Sequence, residues 1–221
     1  MNAMELRKVL EQHRLWRNGE GGKRANLSCT GLSYADLSHA DLSGANLSGA
    51  DLSHADLSHS NLSYTDMSGA NMGYAMMCGV DLCGARLWGA NLANADLRGA
   101  KLDDVKYDCF TSFFALQCPE EGSFIGYKKA CSYIVKLEIL PDAKRSSATT
   151  RKCRCSAAKV LSITTPDGKE DGTQAVSSNR DLSFVYRVGE IARVDDFDED
   201  RWNESSTGIH FFITRDEAVN Y

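Results

Sequence analysis

From Ala25 the chain repeats every five residues, and this period constrains the fold more than any other feature. Ala, then Asp or Asn, then Leu recurs at Ala35-Asp36-Leu37, Ala40-Asp41-Leu42, Ala45-Asn46-Leu47, Ala50-Asp51-Leu52 and Ala55-Asp56-Leu57. The pattern weakens, resumes through Ala90-Asn91-Leu92 and Ala95-Asp96-Leu97, and keeps its register to Cys109, which makes 17 pentapeptides. Five residues fit neither an α-helix, with about 3.6 per turn, nor a strand, with about 2. On a helix, a leucine every five residues would wander around all faces. Each pentapeptide is therefore expected to turn the chain by a fixed angle, and the series to build a solenoid. Leu and the small residue two places before it are expected to point inward. Only Ala, Ser, Thr or Val holds that second position (Thr30, Ser60, Thr65, Val80, Val105), as a narrow interior requires. Met67, Met72, Met77 and Tyr107 replace leucine and are read as core. Serine and the variable position point outward.

This register resembles the pentapeptide repeat family over residues 25–109. The resemblance implies a right-handed quadrilateral β-helix with four pentapeptides per coil, hence about four coils. At a strand spacing of about 4.8 Å the rod would be about 20 Å long. The expected fold class is mainly β: this β-helix, a short N-terminal capping helix and a small α+β C-terminal domain. The expected division is 1–24 for the capping helix and loop, 25–109 for the β-helix and 110–221 for the C-terminal domain.

Coils of 20 residues stack n on n+20. Tyr34, His54 and Tyr74 then form one outward column, and His39 and His59 part of the next. Asp36, Asp56 and Asp96 share a column, as do Asp41 and Asp81. These rings and carboxylates are the candidate interaction face. Stacked carboxylates would raise one another's proton affinity unless each caps a local backbone N–H. Capping explains why Asp alternates with Asn and never with the longer Glu.

Charge follows the same segmentation. The formal net charge of −5 averages +3 over residues 1–24, −6 over 25–109 and −2 over 110–221. Residues 25–85 hold six Asp and no Lys or Arg. Some pentapeptide repeat proteins imitate duplex DNA, so the resemblance implies an inhibitor or DNA mimic directed at a DNA-binding protein. A rod of about 20 Å would cover only about six base pairs.

A solenoid needs caps at its ends. Leu6, Val9, Leu10, His13 and Trp16 share one face of a helix over residues 3–17, and Asn18–Gly22 breaks it. This helix is expected to cap the first coil. After Cys109 the period stops. Strands are expected at 123–127, 133–140, 157–163, 184–188 and 209–213, with a short helix at 215–221. This segment resembles an uncharacterised domain that accompanies pentapeptide repeats in bacterial and phage proteins. The likeness rests on Ala143-Lys144-Arg145-Ser146-Ser147-Ala148, Arg151-Lys152-Cys153-Arg154, Tyr186-Arg187-Val188-Gly189-Glu190 and Gly208-Ile209-His210-Phe211-Phe212, and implies no established activity.

Three features of this domain bear on chemistry. Lys144, Arg145, Arg151, Lys152 and Arg154 flank hydroxyls at Ser146–Thr150 and are a candidate anion site, although no Gly-rich phosphate loop accompanies them. Asp195, Asp196, Asp198, Glu199, Asp200 and Glu204 read as a solvated turn, because the ligand order of a calcium loop is missing. His210 with Cys131, Cys153 and Cys155 would need spatial pairing to act as a Cys–His site.

No catalytic residue, metal site or cofactor is assigned. The 8 cysteines read as free thiols in a reducing cytosol, since neither a signal core nor an apolar run of about 18 residues is present. The function expected is a non-enzymatic, cytoplasmic interaction or scaffold protein with a protein partner, with self-pairing through a coil end as a further expectation. Neither direct nucleic-acid binding nor membrane association is expected. The alternative is an enzyme, or a binder of a phosphate-containing small molecule, with its site in residues 110–221.

Overall fold

The computed structural model describes residues 1–221. The chain is mainly β with two helices, and it divides into compact units at Met1–Ala115 and Leu116–Tyr221.

The first unit opens with α1 (Ala3–Arg17). Its start is fixed by a reciprocal cap: the Asn2 side chain accepts from the Glu5 N–H at 2.9 Å, and the Glu5 carboxylate accepts from the Asn2 N–H at 3.0 Å. Leu6 and His13 are buried. Trp16, expected on the same buried face, is 41% exposed and lies flat against the His13 ring. His13 Nδ1 accepts the Ala25 N–H at 3.0 Å, which joins the helix to the first pentapeptide.

From Asn26 onward, the second residue of each pentapeptide forms a parallel bridge with the residue twenty later, from Asn26↔Asn46 to Arg86↔Lys106. The Leu27 N–H donates to the Asn46 carbonyl at 2.7 Å, and the Asn46 N–H donates to the Ala25 carbonyl at 3.0 Å. Each pentapeptide is thus bonded to those four before and after it. The N–H of the small residue that opens the next pentapeptide returns to the leucine carbonyl, as from Ala45 to Leu42 at 2.9 Å. That closes a four-residue turn whose third residue lies at positive φ, +69° at Gly44 and +60° at Tyr34. The variable position is therefore the left-handed corner of the turn. The leucines from Leu42 to Leu92 are buried, with Met67, Met72 and Met77 filling the same stack.

Tyr107 departs from the expectation. It is 52% exposed, because the ladder slips after Lys106: the next bridge, Asn91↔Ser112, carries one extra residue. Thr111 Oγ1 donates to the Leu87 carbonyl at 2.8 Å, and Phe114 is buried with the Tyr107 ring 4.7 Å away. Thr111 and Phe114 thus do the closing that periodicity assigned to Tyr107.

The second unit holds β1 (Phe124–Ala130), β2 (Tyr133–Ile139), β3 (Arg145–Ser147), β4 (Cys153–Cys155), β5 (Ala157–Thr164), β6 (Ala175–Ser177), β7 (Val185–Arg187), β8 (Ile191–Arg193), β9 (Ile209–Phe211) and α2 (Arg215–Asn220). The five strands read from sequence correspond to β1, β2, β5, β7 and β9. The four strands not read from sequence, β3, β4, β6 and β8, have three residues each and show too little alternation to read. The main antiparallel sheet has the order β1-β2-β5-β8; a second joins β3-β4-β9 and a third β6-β7. Val135, Leu137, Ile139, Val160, Tyr186 and Phe211 lie in its main core. No helix is long and apolar enough to cross a membrane.

Candidate functional site

On the first unit the ladder brings the expected rings together. Tyr34 and His54 stack at 4.8 Å with parallel planes, His54 and Tyr74 at 5.0 Å, and His39 and His59 at 5.3 Å. Tyr34 is 74% exposed and Tyr74 58%. All five sit at the left-handed corner, with φ between 57° and 60°. Glycine is the least strained residue there, and a bulky ring is an outlier that something must compensate. The His59 ring has a local role: it lies over Gly79, where an added Cβ would meet it at 2.5 Å. Tyr64 covers Gly84 in the same way, at 2.6 Å. Tyr34, His54 and Tyr74 instead form a continuous ring column.

The aspartates are turn elements. Asp36 Oδ1 accepts the Ser38 N–H at 3.1 Å and the Ser38 hydroxyl at 2.7 Å; Asp41 does the same with Ser43, and Asp56 accepts the Ser58 N–H at 2.9 Å. The hydroxyl and amide at Ser38 hold Asp36 below the usual carboxylate range, and those at Ser53 do the same for Asp51. Cys83 and its amide lower Asp81, with Lys101 adding to the effect. At Asp41 burial acts upward, but Ser43 and Arg17 outweigh it and the net shift is down. A depressed folded value stabilises the fold above the unfolded carboxylate range and is lost as pH falls through the folded value. The melting temperature of the first unit should therefore be flat near neutrality and drop below about pH 4. Asp51→Asn keeps the acceptor and should reduce that acid dependence; thermal melts between neutral and acid pH check it. The bridged columns read Asp36, Asp56, Met76, Asp96 and Asp41, Asn61, Asp81, Lys101, so only Asp36 and Asp56 are adjacent carboxylates.

In the second unit the basic stretch and the acidic run, far apart in sequence, meet. Arg154 is buried, and its guanidinium donates to the carbonyls of Thr207 at 2.7 Å, Asp200 at 2.8 Å and Asp198 at 3.1 Å. Lys144 pairs with Glu199, and Lys152 with Glu204 at 3.4 Å. Arg151 pairs with Glu217 of α2 at 2.7 Å. Arg145 donates to the carbonyls of Leu140 at 2.7 Å, Pro119 at 3.0 Å and Gly122 at 3.0 Å. Each of the five cations has a partner within the second unit. The acidic run is a turn clamped from beneath by Arg154, with Asp198 and Asp200 accepting backbone N–H groups of Asp200 and Trp202.

His210 lies across from Arg154 in the β4–β9 pairing, whereas Cys153 and Cys155 pair with Phe211 and Ile209. Alternation therefore turns the two thiols to the opposite sheet face from the imidazole. Burial pushes the Cys155 thiol up to about 12, and Cys131 is exposed in the β1–β2 turn. These groups do not form a Cys–His pair. His210 Nε2 donates to the Glu204 carbonyl at 3.0 Å, and burial lowers its value to about 4, so it is neutral at pH 7. No group of three or more His, Cys, Asp or Glu is placed to hold a metal ion.

His210 and Lys152 do border a cleft of about 850 Å³. Its other basic side chains, Lys128, Lys129, Arg180 and Arg193, were not among the sequence candidates. The signal for Lys128 was there: in β1 it alternates with Gly126 and Ala130, both buried, so it falls in the inward register of a strand.

Residues 23–44, 35–73 and 75–106 match the pentapeptide repeat family, and residues 114–218 match a family of unknown function, DUF5758. Among solved structures, a pentapeptide repeat protein from Nostoc PCC 7120, alr5209, is 38% identical over 47% of this chain and 82% of its own, with a TM-score of 0.41. Rfr23, from the cyanobacterium Cyanothece 51142, is 36% identical over 39% of this chain and 59% of its own, with a TM-score of 0.39. HetL from Nostoc sp. PCC 7120, described as involved in heterocyst differentiation regulation, is 37% identical over 38% of this chain and 43% of its own, with a TM-score of 0.21. The chain thus spans 59% of Rfr23 and less than half of HetL. No curated protein matches it. With its five-residue register and the bridges between n and n+20, the chain belongs to the pentapeptide repeat family, and it carries at residues 114–218 a domain of a family of unknown function.

Proposed function

We propose that this is a non-enzymatic interaction protein. Its first unit would be a right-handed, four-sided β-helix of about four coils that offers a ring-bearing face to a protein partner. The observation that carries the reading is the exposed column Tyr34–His54–Tyr74, held at backbone corners where glycine would be less strained. Glycine stands at the same corner in neighbouring pentapeptides, at Gly44, Gly49 and Gly69, so the turn itself does not need the rings. Tyrosine is enriched at protein interfaces because it buries a large face and keeps a polar tip. The finer assignment, a DNA mimic, draws support from the six Asp and absent basic groups of residues 25–85. Against it, Met76, Asn61 and Lys101 interrupt the two acidic columns. The rival assignment, an enzyme or phosphate-ligand binder built on residues 144–154, gains nothing from side chains already committed to internal partners.

The test uses the full chain with Tyr34, His54 and Tyr74 all changed to Gly. The variant is expected to melt at or above the wild-type temperature, because corner strain is relieved. In quantitative affinity capture from the host extract it should lose a partner that the wild type retains. Identical capture by the two proteins would overturn the proposal. A partner retained by wild type and released by modest salt, with no effect of the glycine variant, would favour charge mimicry instead.

A further inference from the structure

The cleft of the second unit carries an electrostatic imbalance. Lys128, Lys129, Lys152, Arg180 and Arg193 line it, against the carboxylates of Asp181, Asp195 and Asp196. The formal excess is two positive charges. Lys152 is paired with Glu204, which lies outside the lining. Lys128, Lys129 and Arg180 are held by backbone carbonyls: Lys128 Nζ donates to His210 at 3.3 Å, Lys129 Nζ to Val219 at 3.2 Å and Arg180 to Ser205 at 2.9 Å.

Lys128 is the least expected of these. It pairs with the fully buried Val135 across β1 and β2, so its stem leaves the sheet on the core face. Its ammonium stands 5.6 Å from the centre of the buried Tyr186 ring. Burial, with Arg180 nearby, lowers its value to about 8, so at pH 7 it is still mostly charged. A desolvated ammonium without a carboxylate is costly, and folds usually pair such a group or replace it with an apolar one. The contacts of the Lys128 ammonium within the fold are one carbonyl and one aromatic ring, neither of which supplies a negative charge.

The cleft is also too large for a bare ion. Its volume of about 850 Å³ matches that of small-molecule sites, and Phe184, Tyr186 and Tyr221 give it aromatic wall. With Lys152 neutralised by Glu204 the cleft keeps one unmatched positive charge, and a phosphomonoester, at about −1.5 to −2 charge at neutral pH, is of the opposite sign.

We propose that this cleft binds a small phosphorylated molecule with a planar ring, the phosphoryl group lying at Lys128 and Arg180 and the ring against the aromatic wall. The site is separate from the ring column on the first unit and from the stretch 144–154, of which it includes only Lys152. It stands or falls independently of the partner proposed above.

The probe is phenyl phosphate, titrated into the full chain by calorimetry and followed by thermal shift, beside inorganic phosphate and phenol at matched ionic strength. Saturable binding of phenyl phosphate is expected, with inorganic phosphate weaker by about fivefold or more and phenol silent. Lys128→Met should weaken binding about tenfold or more, and it should melt at or above the wild-type temperature without ligand, since a partly desolvated ammonium with no carboxylate partner has gone. Arg193→Gln, on an exposed side chain, should weaken binding while leaving the melt unchanged. No saturation by phenyl phosphate up to about 10 mM, or equal affinity in wild type and Lys128→Met, overturns the proposal. Equal binding of inorganic and phenyl phosphate overturns the ring contact. A Lys128→Met chain that melts well below wild type would show Lys128 to be structural, and would also overturn it.

Discussion

Leu57→Ala is expected to destabilise the first unit by about 2–5 kcal/mol, the range for emptying a fully buried leucine site. Leu57 has no exposed surface and lies mid-stack, with Leu37 and Met77 twenty residues before and after it, both buried. The interior can do little to fill the gap. The backbone on either side is pinned by bridges, the Leu57 N–H donating to the Met76 carbonyl at 2.7 Å and the Leu37 N–H to the Asp56 carbonyl at 2.8 Å. The coils therefore cannot close inward without breaking hydrogen bonds. Each pentapeptide is bonded to those four before and after it, so the damage should centre on the bridged pentapeptides around residue 57. Hydrogen exchange resolved by peptide separates this unit from the second. Protection should fall most over residues 35–80 and least over 124–164. A loss under about 1 kcal/mol, or loosening spread evenly over the chain, would contradict this packing account.

Arg154→Ala should be equally severe in the second unit, at about 3–5 kcal/mol, because it removes a buried charged group on which several acceptors depend. The guanidinium reaches three carbonyls of the segment 198–207 and stacks 5.3 Å from the Phe197 ring. Alanine leaves those carbonyls facing an empty space. Lysine should rescue little, since an ammonium cannot supply the planar fork that spans three acceptors. The turn 195–208 should lose hydrogen-exchange protection first. As Asp195, Asp196 and Thr207 line the cleft, binding of phenyl phosphate should weaken with it. If the melt is unchanged and residues 195–208 stay protected, Arg154 is not the clamp.

The first unit was legible to a degree the second was not. Each pentapeptide closes its own turn, and Asp36 with Ser38 or Asp41 with Ser43 shows the same two-residue bond repeating. The five-residue register, with the four pentapeptides per turn that the family resemblance implies, aligns Tyr34, His54 and Tyr74. What the pattern did not reveal was the left-handed corner. It appears in sequence only as Gly alternating with Tyr, His, Cys and Asn at one position. Tyr107 failed for the converse reason: the register in the sequence continues, but the ladder takes one extra residue between Lys106 and Ser112, and Thr111 and Phe114 are buried there instead.

In the second unit the strongest sequence signals were two charge runs, and each was read alone. Arg154 and the carbonyls it holds are more than 40 residues apart, and β4, which carries it, is three residues long. No local period records such a meeting. The cleft arises in the same way, from Lys128 on β1, Arg180 before β7 and Arg193 on β8. The sequence by itself determined the five-residue register and the leucine core, because an apolar side chain returns every five residues; the twenty-residue ladder and the ring columns followed once the family resemblance supplied four pentapeptides per turn, and the backbone bonds run between pentapeptides four apart. Only the tertiary structure decided which partners Lys144, Arg145, Arg151, Lys152 and Arg154 take and that Lys128, Arg180 and Arg193 border one cleft, because those depend on which distant strands pair, a matter of burial and hydrogen bonding across the whole domain.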